Sequence, residues 1–223
     1  MTFRHEVKYI ISSGDAAAVR ASLRAVAQPD PHAGEKGYYL VRSLYFDDPA
    51  DTALREKLDG VSERRKYRLR CYDGDLNTLM LECKMKRDDA GLKPREPLTA
   101  EEAERILRGD TGWMVQRERP LLTLLYAEMK SRQLAPKTVA EYRRMPFIYA
   151  PGNVRVTIDW DIRTGAPSEF LKPEALTIPI REDVTLLEVK WDRYLPQAIR
   201  QAASLKNRYP AAFSKYAACR AIG

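Results

Sequence analysis

The chain has 223 residues, enough for a substantial core, and its 38 lysines and arginines against 31 aspartates and glutamates leave a net charge of +7. A pI near 9.3 favours an acidic partner, whether phosphorylated substrate, nucleic acid or anionic membrane, and charge alone does not choose among them. With no apolar run of about 18 residues and no apolar N-terminal leader, the sequence argues against a spanning helix and reads as a cytoplasmic protein.

In chain order, residues 3–11 read as a strand, and Ser13 and Asp15 open a helix that runs to residue 27. Residues 28–37, rich in proline and glycine, read as a loop, followed by an aromatic strand over 38–47. Asp48-Pro49 is expected to start a short helix, because proline suits the first turn, and Gly60 to end it. Strands over 62–72 and 78–87 are joined by Asp73-Gly74-Asp75, a hairpin signal. Thr99 and Glu102 form a capping box for a helix to about residue 108, and residues 121–133 are an amphipathic helix that Pro136 stops. Strands follow over 137–149, 153–163 and 184–191, then a helix over 195–207 and a basic tail around Phe213-Ser214-Lys215-Tyr216. Strands and helices interleave without a composition break, which favours a single α+β domain over residues 1–223. Cys71, Cys83 and Cys219 are odd in number and widely spaced, and the first two fall on apolar strand faces, as small core residues of a reducing compartment do.

Five segments alternate charged and apolar residues with the period of a strand, so each carries a charged face. They read Arg4-x-Glu6-x-Lys8, Arg64-x-Lys66-x-Arg68-x-Arg70, Glu82-x-Lys84-x-Lys86, Arg155-x-Thr157-x-Asp159 and Glu188-x-Lys190. The opposite faces are apolar, among them Tyr67-Leu69-Cys71 and Leu187-Val189-Trp191. One such strand is an ordinary solvated surface; five suggest a sheet curled around a polar interior that accepts a polyanion. Drawing several phosphate charges out of water is costly unless cations replace their hydration, and arginine does so with a bidentate fork while lysine adds compact charge. On this reading Arg68, Arg70, Lys84, Lys86, Arg155 and Lys8 clamp phosphates, and Glu188, Glu82, Glu6 and Asp159 hold or orient a divalent metal. His5 alternates onto the apolar face as a packing residue, His32 lies in a loop, and Trp113, Trp160 and Trp191 read as core residues.

Seven pieces appear in order: Glu6-x-Lys8-Tyr9, Ser43-x-Tyr45-Phe46-Asp47, Tyr67-Arg68-Leu69-Arg70, Leu81-Glu82-x-Lys84, Val154-Arg155-x-Thr157-Ile158-Asp159, Leu187-Glu188-x-Lys190 and Phe213-Ser214-Lys215-Tyr216. Together they resemble the VTC domain, the polyphosphate polymerase branch of the triphosphate tunnel metalloenzymes, over nearly the whole chain. The resemblance implies an eight-stranded antiparallel β-barrel with flanking helices, enclosing a basic tunnel. It implies transfer of the γ-phosphate of ATP to a growing inorganic polyphosphate chain with release of ADP, using Mn²⁺ or Mg²⁺. The matching positions are Lys8, Arg68, Arg70, Lys84 and Arg155 for catalysis, with Lys66, Lys86, Lys93, Arg144, Lys190, Ser214 and Lys215 for substrate. Glu188 is the leading metal ligand, with Glu82, Asp159 and Glu6 as co-ligands. Two departures stand out: Ala212 replaces a lysine that eukaryotic relatives often carry, and Arg4 stands where other tunnel enzymes have a glutamate. With no SPX domain alongside, the expectation is a bare catalytic domain of bacterial type, with a membrane partner protein as an optional recipient of product. A tunnel-type inorganic or nucleoside triphosphatase is the first alternative, since only the acceptor differs. A non-enzymatic polyanion binder is the second; nucleic acid is disfavoured because carboxylates on the charged faces repel its backbone.

Overall fold

The structure, a computed structural model, describes residues 4–87, 90–181, 184–204 and 208–222. In chain order it comprises β1 (His5–Ile11), α1 (Ser13–Val26), β2 (Gln28–Pro29), β3 (Tyr39–Asp47), α2 (Thr52–Leu58), β4 (Arg64–Tyr72), β5 (Asp75–Arg87), β6 (Ala90–Leu92) and β7 (Arg95–Pro97). There follow α3 (Ala100–Leu107), α4 (Pro120–Ser131), β8 (Ala135–Tyr149), β9 (Val154–Gly165), β10 (Ile178–Pro179), β11 (Thr185–Trp191), α5 (Gln197–Ala202) and α6 (Lys215–Arg220). The class is α+β with antiparallel pairing, as expected. The residues group into two compact units, one of Met1–Leu40, Tyr142–Ile162 and Pro179–Ser214, the other of Val41–Glu141, Arg163–Ile178 and Lys215–Gly223.

In the first unit the strand order is β1-β11-β9-β8, with β2 added to β8. Register aligns Lys8 with Glu188 and Glu188 with Thr157, and in the adjacent row Glu6 with Lys190 and Lys190 with Arg155. The alternate residues Val156, Ile158, Leu187 and Val189 face the other way and pack with Val19 and Leu23 of α1 and Ile199 of α5. Each such buried side chain contributes roughly 1.5–3 kcal/mol, so this row fixes strand phase and sends the charged alternates to the opposite face. Helix α1 starts where Ser12 and Asp15 cap each other, Asp15 N–H donating to Ser12 Oγ at 3.1 Å and Ser12 N–H to the Asp15 carboxylate at 3.1 Å.

In the second unit the order is β8-β3-β4-β5-β6, and β7 also pairs with β5. The β4–β5 hairpin turns at Asp73 and Gly74, whose φ of 52° and 73° are the paired positive values that a tight two-residue turn demands. Tyr67, Leu69, Cys71, Leu79, Leu81 and Cys83 form the core with Ala103 and Ile106 of α3 and Leu122 and Leu125 of α4. Cys71, Cys83 and Cys219 are buried free thiols, the first two as expected from their strand faces. The Thr99–Glu102 capping box opens α3 as anticipated.

Several boundaries differ from expectation for identifiable reasons. Helix α2 starts at Thr52 rather than Asp48, because the Asp47 and Asp48 carboxylates cap it from outside: Asp47 accepts from the N–H groups of Ala53 and Leu54, Asp48 from that of Thr52. Helix α4 ends at Ser131, before Gln133 with φ of 56°, and Pro136 lies within β8. Helix α5 covers only Gln197–Ala202, and residues 205–207 of the longer expected helix lie outside the described residues. The expected basic tail forms α6, and β2, β6, β7 and β10, of two or three residues each, were not anticipated. His5 is exposed at the start of β1 and stacks on Trp191, ring centroids 5.3 Å apart, rather than packing into a core.

Candidate anion-binding sites

In the second unit a cation cluster surrounds one carboxylate. Strand pairing places Arg68 between Tyr45 and Glu82, and Arg70 beside Ser43. Arg68 donates from Nε to the Glu82 carboxylate at 2.6 Å, with its Nη2 2.5 Å from the same oxygen. Lys93 donates to the other Glu82 oxygen at 2.7 Å, and Arg70 Nη1 stands 3.9 Å from Glu82. Arg70 also donates from Nε to Ser43 Oγ at 3.1 Å, and Arg68 from Nη1 to the Tyr45 hydroxyl at 3.3 Å. The Lys66 ammonium sits over the rings of Tyr45 and Tyr216, 4.6 and 4.9 Å from their centroids. Glu82 alone faces three cations in these contacts among the described residues, which leaves positive charge in excess around it.

The electrostatic consequences are large. Burial opposes ionisation of Glu82, but Arg68, Arg70 and Lys93 outweigh it and hold its pKa at about 2. Burial and the neighbouring Arg68 push Lys93 down to about 8, against the pull of Glu82. Tyr45 is buried, which favours the neutral phenol, yet Arg68, Lys66 and Arg70 outweigh that and lower it to about 7. Two protons therefore leave this cluster as pH rises through about 7 and about 8. The first creates a phenolate at Tyr45 and the second neutralises Lys93, so each lowers the net positive charge and affinity for inorganic tripolyphosphate is expected to fall across this window. The fall should be about tenfold or more, since a unit charge about 4 Å from an anion is worth on the order of 1–4 kcal/mol. Calorimetric titration below and above the window checks it; affinity that rises with pH, as the ligand itself becomes more anionic, would refute the expected sign.

In the first unit the charged face is a lattice. Lys8 Nζ lies 2.5 Å from Glu6 and 3.4 Å from Glu188, and Lys190 Nζ lies 2.9 Å from Glu188 and 3.5 Å from Glu6. Burial alone would lower the Lys8 pKa, but Glu188 and Glu6 outweigh it and raise it. Arg144 binds Asp159 with two parallel bonds, Nε and Nη2 each at 2.7 Å, and its Nη2 lies 3.7 Å from Glu188. Arg155 donates from Nη2 to Asp30 at 2.8 Å and to the Tyr39 hydroxyl at 2.9 Å.

The structure thus brings Lys8, Arg144, Arg155, Lys190, Glu6, Asp159 and Glu188 together in one unit, and Lys66, Arg68, Arg70, Lys93 and Glu82 in the other. Lys84 shares the strand face of Glu82 but is exposed, and the Lys86 side chain lies outside the described residues. Ser214 precedes α6 and Lys215 opens it. Arg65, one residue out of phase with Lys66 and Arg68, lies on the other strand face and pairs with Glu128 at 3.1 Å.

The four carboxylates expected as metal ligands meet different partners. Glu82 belongs to the second unit, where its oxygens are taken by Arg68 and Lys93, and Asp159 is held by Arg144. No group of three or more His, Cys, Asp or Glu able to hold a metal occurs among the described residues. What fits is the pair Glu6 and Glu188, which share Lys8 and Lys190 as counter-ions. Two carboxylates suit a hard ion such as Mg²⁺ or Mn²⁺ that takes its remaining ligands from substrate phosphate and water.

Sequence reasoning passed over Ser43, Tyr45 and Tyr216 as site residues. The alternation Ser43-x-Tyr45 on β3, in register with Arg70 and Arg68, was the available signal for the first two. Tyr216 stood only in the Phe213-Ser214-Lys215-Tyr216 piece, and its place depends on its hydroxyl donating to Asp47, 169 residues earlier, at 2.5 Å.

Comparison with known proteins places these clusters in context. The VTC domain model matches residues 3–222. No curated protein matches the chain. The putative adenylyl cyclase HpAC1 from Hippeastrum, whose structure is described as revealing a dominant triphosphatase activity, aligns at a TM-score of 0.53 with 13% identity, covering 97% of this chain and 94% of its own. A putative adenylate cyclase from Bacillus halodurans aligns at 0.48 with 13% identity, covering 91% of this chain and 83% of its own. At this identity the likeness to HpAC1 speaks for the fold. No helix among the described residues is long and apolar enough to cross a membrane.

Proposed function

We propose a function for this chain, which belongs to the VTC domain family: it is a polyphosphate polymerase that transfers the γ-phosphate of ATP to the end of an inorganic polyphosphate chain, releasing ADP. The terminal phosphate oxygen of the chain attacks the γ-phosphorus, the bond to the β,γ-bridging oxygen breaks, and the polymer grows by one unit. The observation that carries this reading is that each unit has its own cation cluster. A reaction with two polyanionic substrates needs two such surfaces, whereas hydrolysis, with water as acceptor, needs one.

Phosphoryl transfer needs positioning and charge stabilisation rather than covalent help from the protein. Arg68 and Arg70 are suited to grip a triphosphate because their guanidinium groups are held in place by Glu82, Ser43 and Tyr45 before any ligand arrives. We assign Lys66 and Lys93 to the same substrate, with Lys84, Lys86 and Lys215 as further cations of the second unit. Lys8, Lys190, Arg144 and Arg155 are assigned to the phosphate chain, with Ser214 as a further contact from the first unit. Glu6 and Glu188 would hold a divalent cation, which when bound draws charge from the phosphate oxygens as the bond to the leaving group breaks. Releasing these carboxylates from Lys8 and Lys190 frees both lysines for the substrate.

Incubation with ATP and Mn²⁺ or Mg²⁺, followed by gel electrophoresis, tests the proposal. Long phosphate chains with ADP in equal phosphate equivalents are expected. Orthophosphate as the sole phosphate product would replace the polymerase with a triphosphatase, and ligand binding without turnover would leave a polyanion binder.

A further inference from the structure

We infer that Thr157 is a substrate-binding residue, its hydroxyl donating to a phosphoryl oxygen of the phosphate-chain substrate beside Arg155. The inference rests on the polyanion reading above and adds a contact that charge alone does not reveal. Thr157 lies on the charged face of β9 between Arg155 and Asp159, and only 3% of it is exposed. Its Oγ1 is buried with no hydrogen-bond partner among the described residues, and the same holds for Nε of Arg155, two residues away on the same face. Buried hydroxyls and guanidinium nitrogens are normally satisfied, so two orphan donors side by side call for a missing acceptor.

Among the described residues, no neighbouring group is placed to be that acceptor. Asp159 takes both Arg144 bonds at 2.7 Å. Glu188, which faces Thr157 in register, is engaged by Lys190 at 2.9 Å and Lys8 at 3.4 Å. Arg155 spends Nη2 on Asp30 and Tyr39, leaving Nε. The surrounding Lys8, Lys190, Arg144 and Arg155 select an anionic oxygen for that position. A structural threonine in this protein looks different: Thr138 and Thr164, about as deeply buried, bond each other at 3.0 Å. Valine would fill the space of Thr157 without an orphan hydroxyl, so the hydroxyl needs a role that appears only with ligand.

The test compares Thr157→Val and Thr157→Ser with the unmodified protein, by calorimetric titration with inorganic tripolyphosphate and by melting without ligand. Thr157→Val is expected to weaken tripolyphosphate binding about tenfold while its ligand-free melting temperature stays equal or rises, and Thr157→Ser is expected to keep most of the affinity. Unchanged affinity in Thr157→Val overturns the inference. So does a fall in its ligand-free melting temperature that Thr157→Ser avoids, because that marks a structural hydroxyl. If the unmodified protein itself fails to bind tripolyphosphate, the polyanion reading falls, and this contact with it.

Discussion

Arg70→Ala is expected to lower turnover by about 10³-fold or more while the protein stays folded at assay temperature. An arginine that stabilises a transferring phosphoryl group is worth on the order of 10³–10⁵ in rate. Arg70 is buried and aimed by its Nε bond to Ser43 Oγ at 3.1 Å, so its fork is ready before substrate binds. The structural cost of removing it is limited. Its nearest approach to Glu82 is 3.9 Å, and Glu82 keeps Arg68 at 2.6 Å and Lys93 at 2.7 Å. With a stability loss of roughly 1–3 kcal/mol, and about 2–4 °C per kcal/mol for a chain of this size, melting should fall only modestly. Initial rates and melting curves measured side by side decide it. Near-normal turnover would remove Arg70 from the catalytic set, and a melting loss large enough to unfold the enzyme would make its role structural. Arg70→Lys should recover only part of the rate, because an ammonium keeps the charge but not the bidentate geometry.

Glu82→Gln is expected to lower the ligand-free melting temperature strongly, and inorganic tripolyphosphate should restore it. Glu82 is the carboxylate that Arg68, Arg70 and Lys93 share, and those charges outweigh burial and hold its pKa at about 2. Removing one partner of a buried charge cluster costs about 3–5 kcal/mol, or roughly 6–20 °C in melting temperature at 2–4 °C per kcal/mol. Linkage gives the sign in the unmodified protein. The folded pKa lies below the ordinary value of 4.5, so this stability is fully present above about 4.5 and is lost as pH falls towards about 2. In the Glu82→Gln variant a bound polyphosphate replaces the lost negative charge, so the rescue reports on the same cations that Glu82 occupies. A metal-ligand role for Glu82 would look different: little change in melting without metal, and a weakened response to Mn²⁺. That outcome would make Glu82 a metal ligand rather than a counter-ion.

Which residues lie on the charged faces was legible from strand period. Arg68 and Arg70 share a face because Tyr67, Leu69 and Cys71 bury the other, and a shift of one residue would send all of them to the wrong side. The hairpin turn at Asp73-Gly74 and the Thr99–Glu102 capping box are local interactions within a few residues, which is why they too could be anticipated. What the carboxylates do was not legible. Glu82, Glu188 and Asp159 look alike in the sequence, each alternating with other polar residues on a strand. In the folded chain Asp159 is bound on both oxygens by Arg144, Glu82 pairs with Arg68 and Lys93, and Glu6 and Glu188 share Lys8 and Lys190. Similarly, α6 is six residues long and too short to be stable alone; Tyr216 bonding Asp47 and Arg220 bonding Asp51 at 2.9 Å hold it in place.

By itself, then, the sequence determined the antiparallel α+β character, the phase of each charged strand and the core place of Cys71 and Cys83, because these depend on periodicities and caps within a few residues. Tertiary structure alone decided which cation meets which carboxylate, where the short strands and α6 form, and which buried donors are left without an acceptor. Those outcomes depend on distances between segments far apart in the chain, and at such sites a few ångströms separate a metal ligand from a counter-ion.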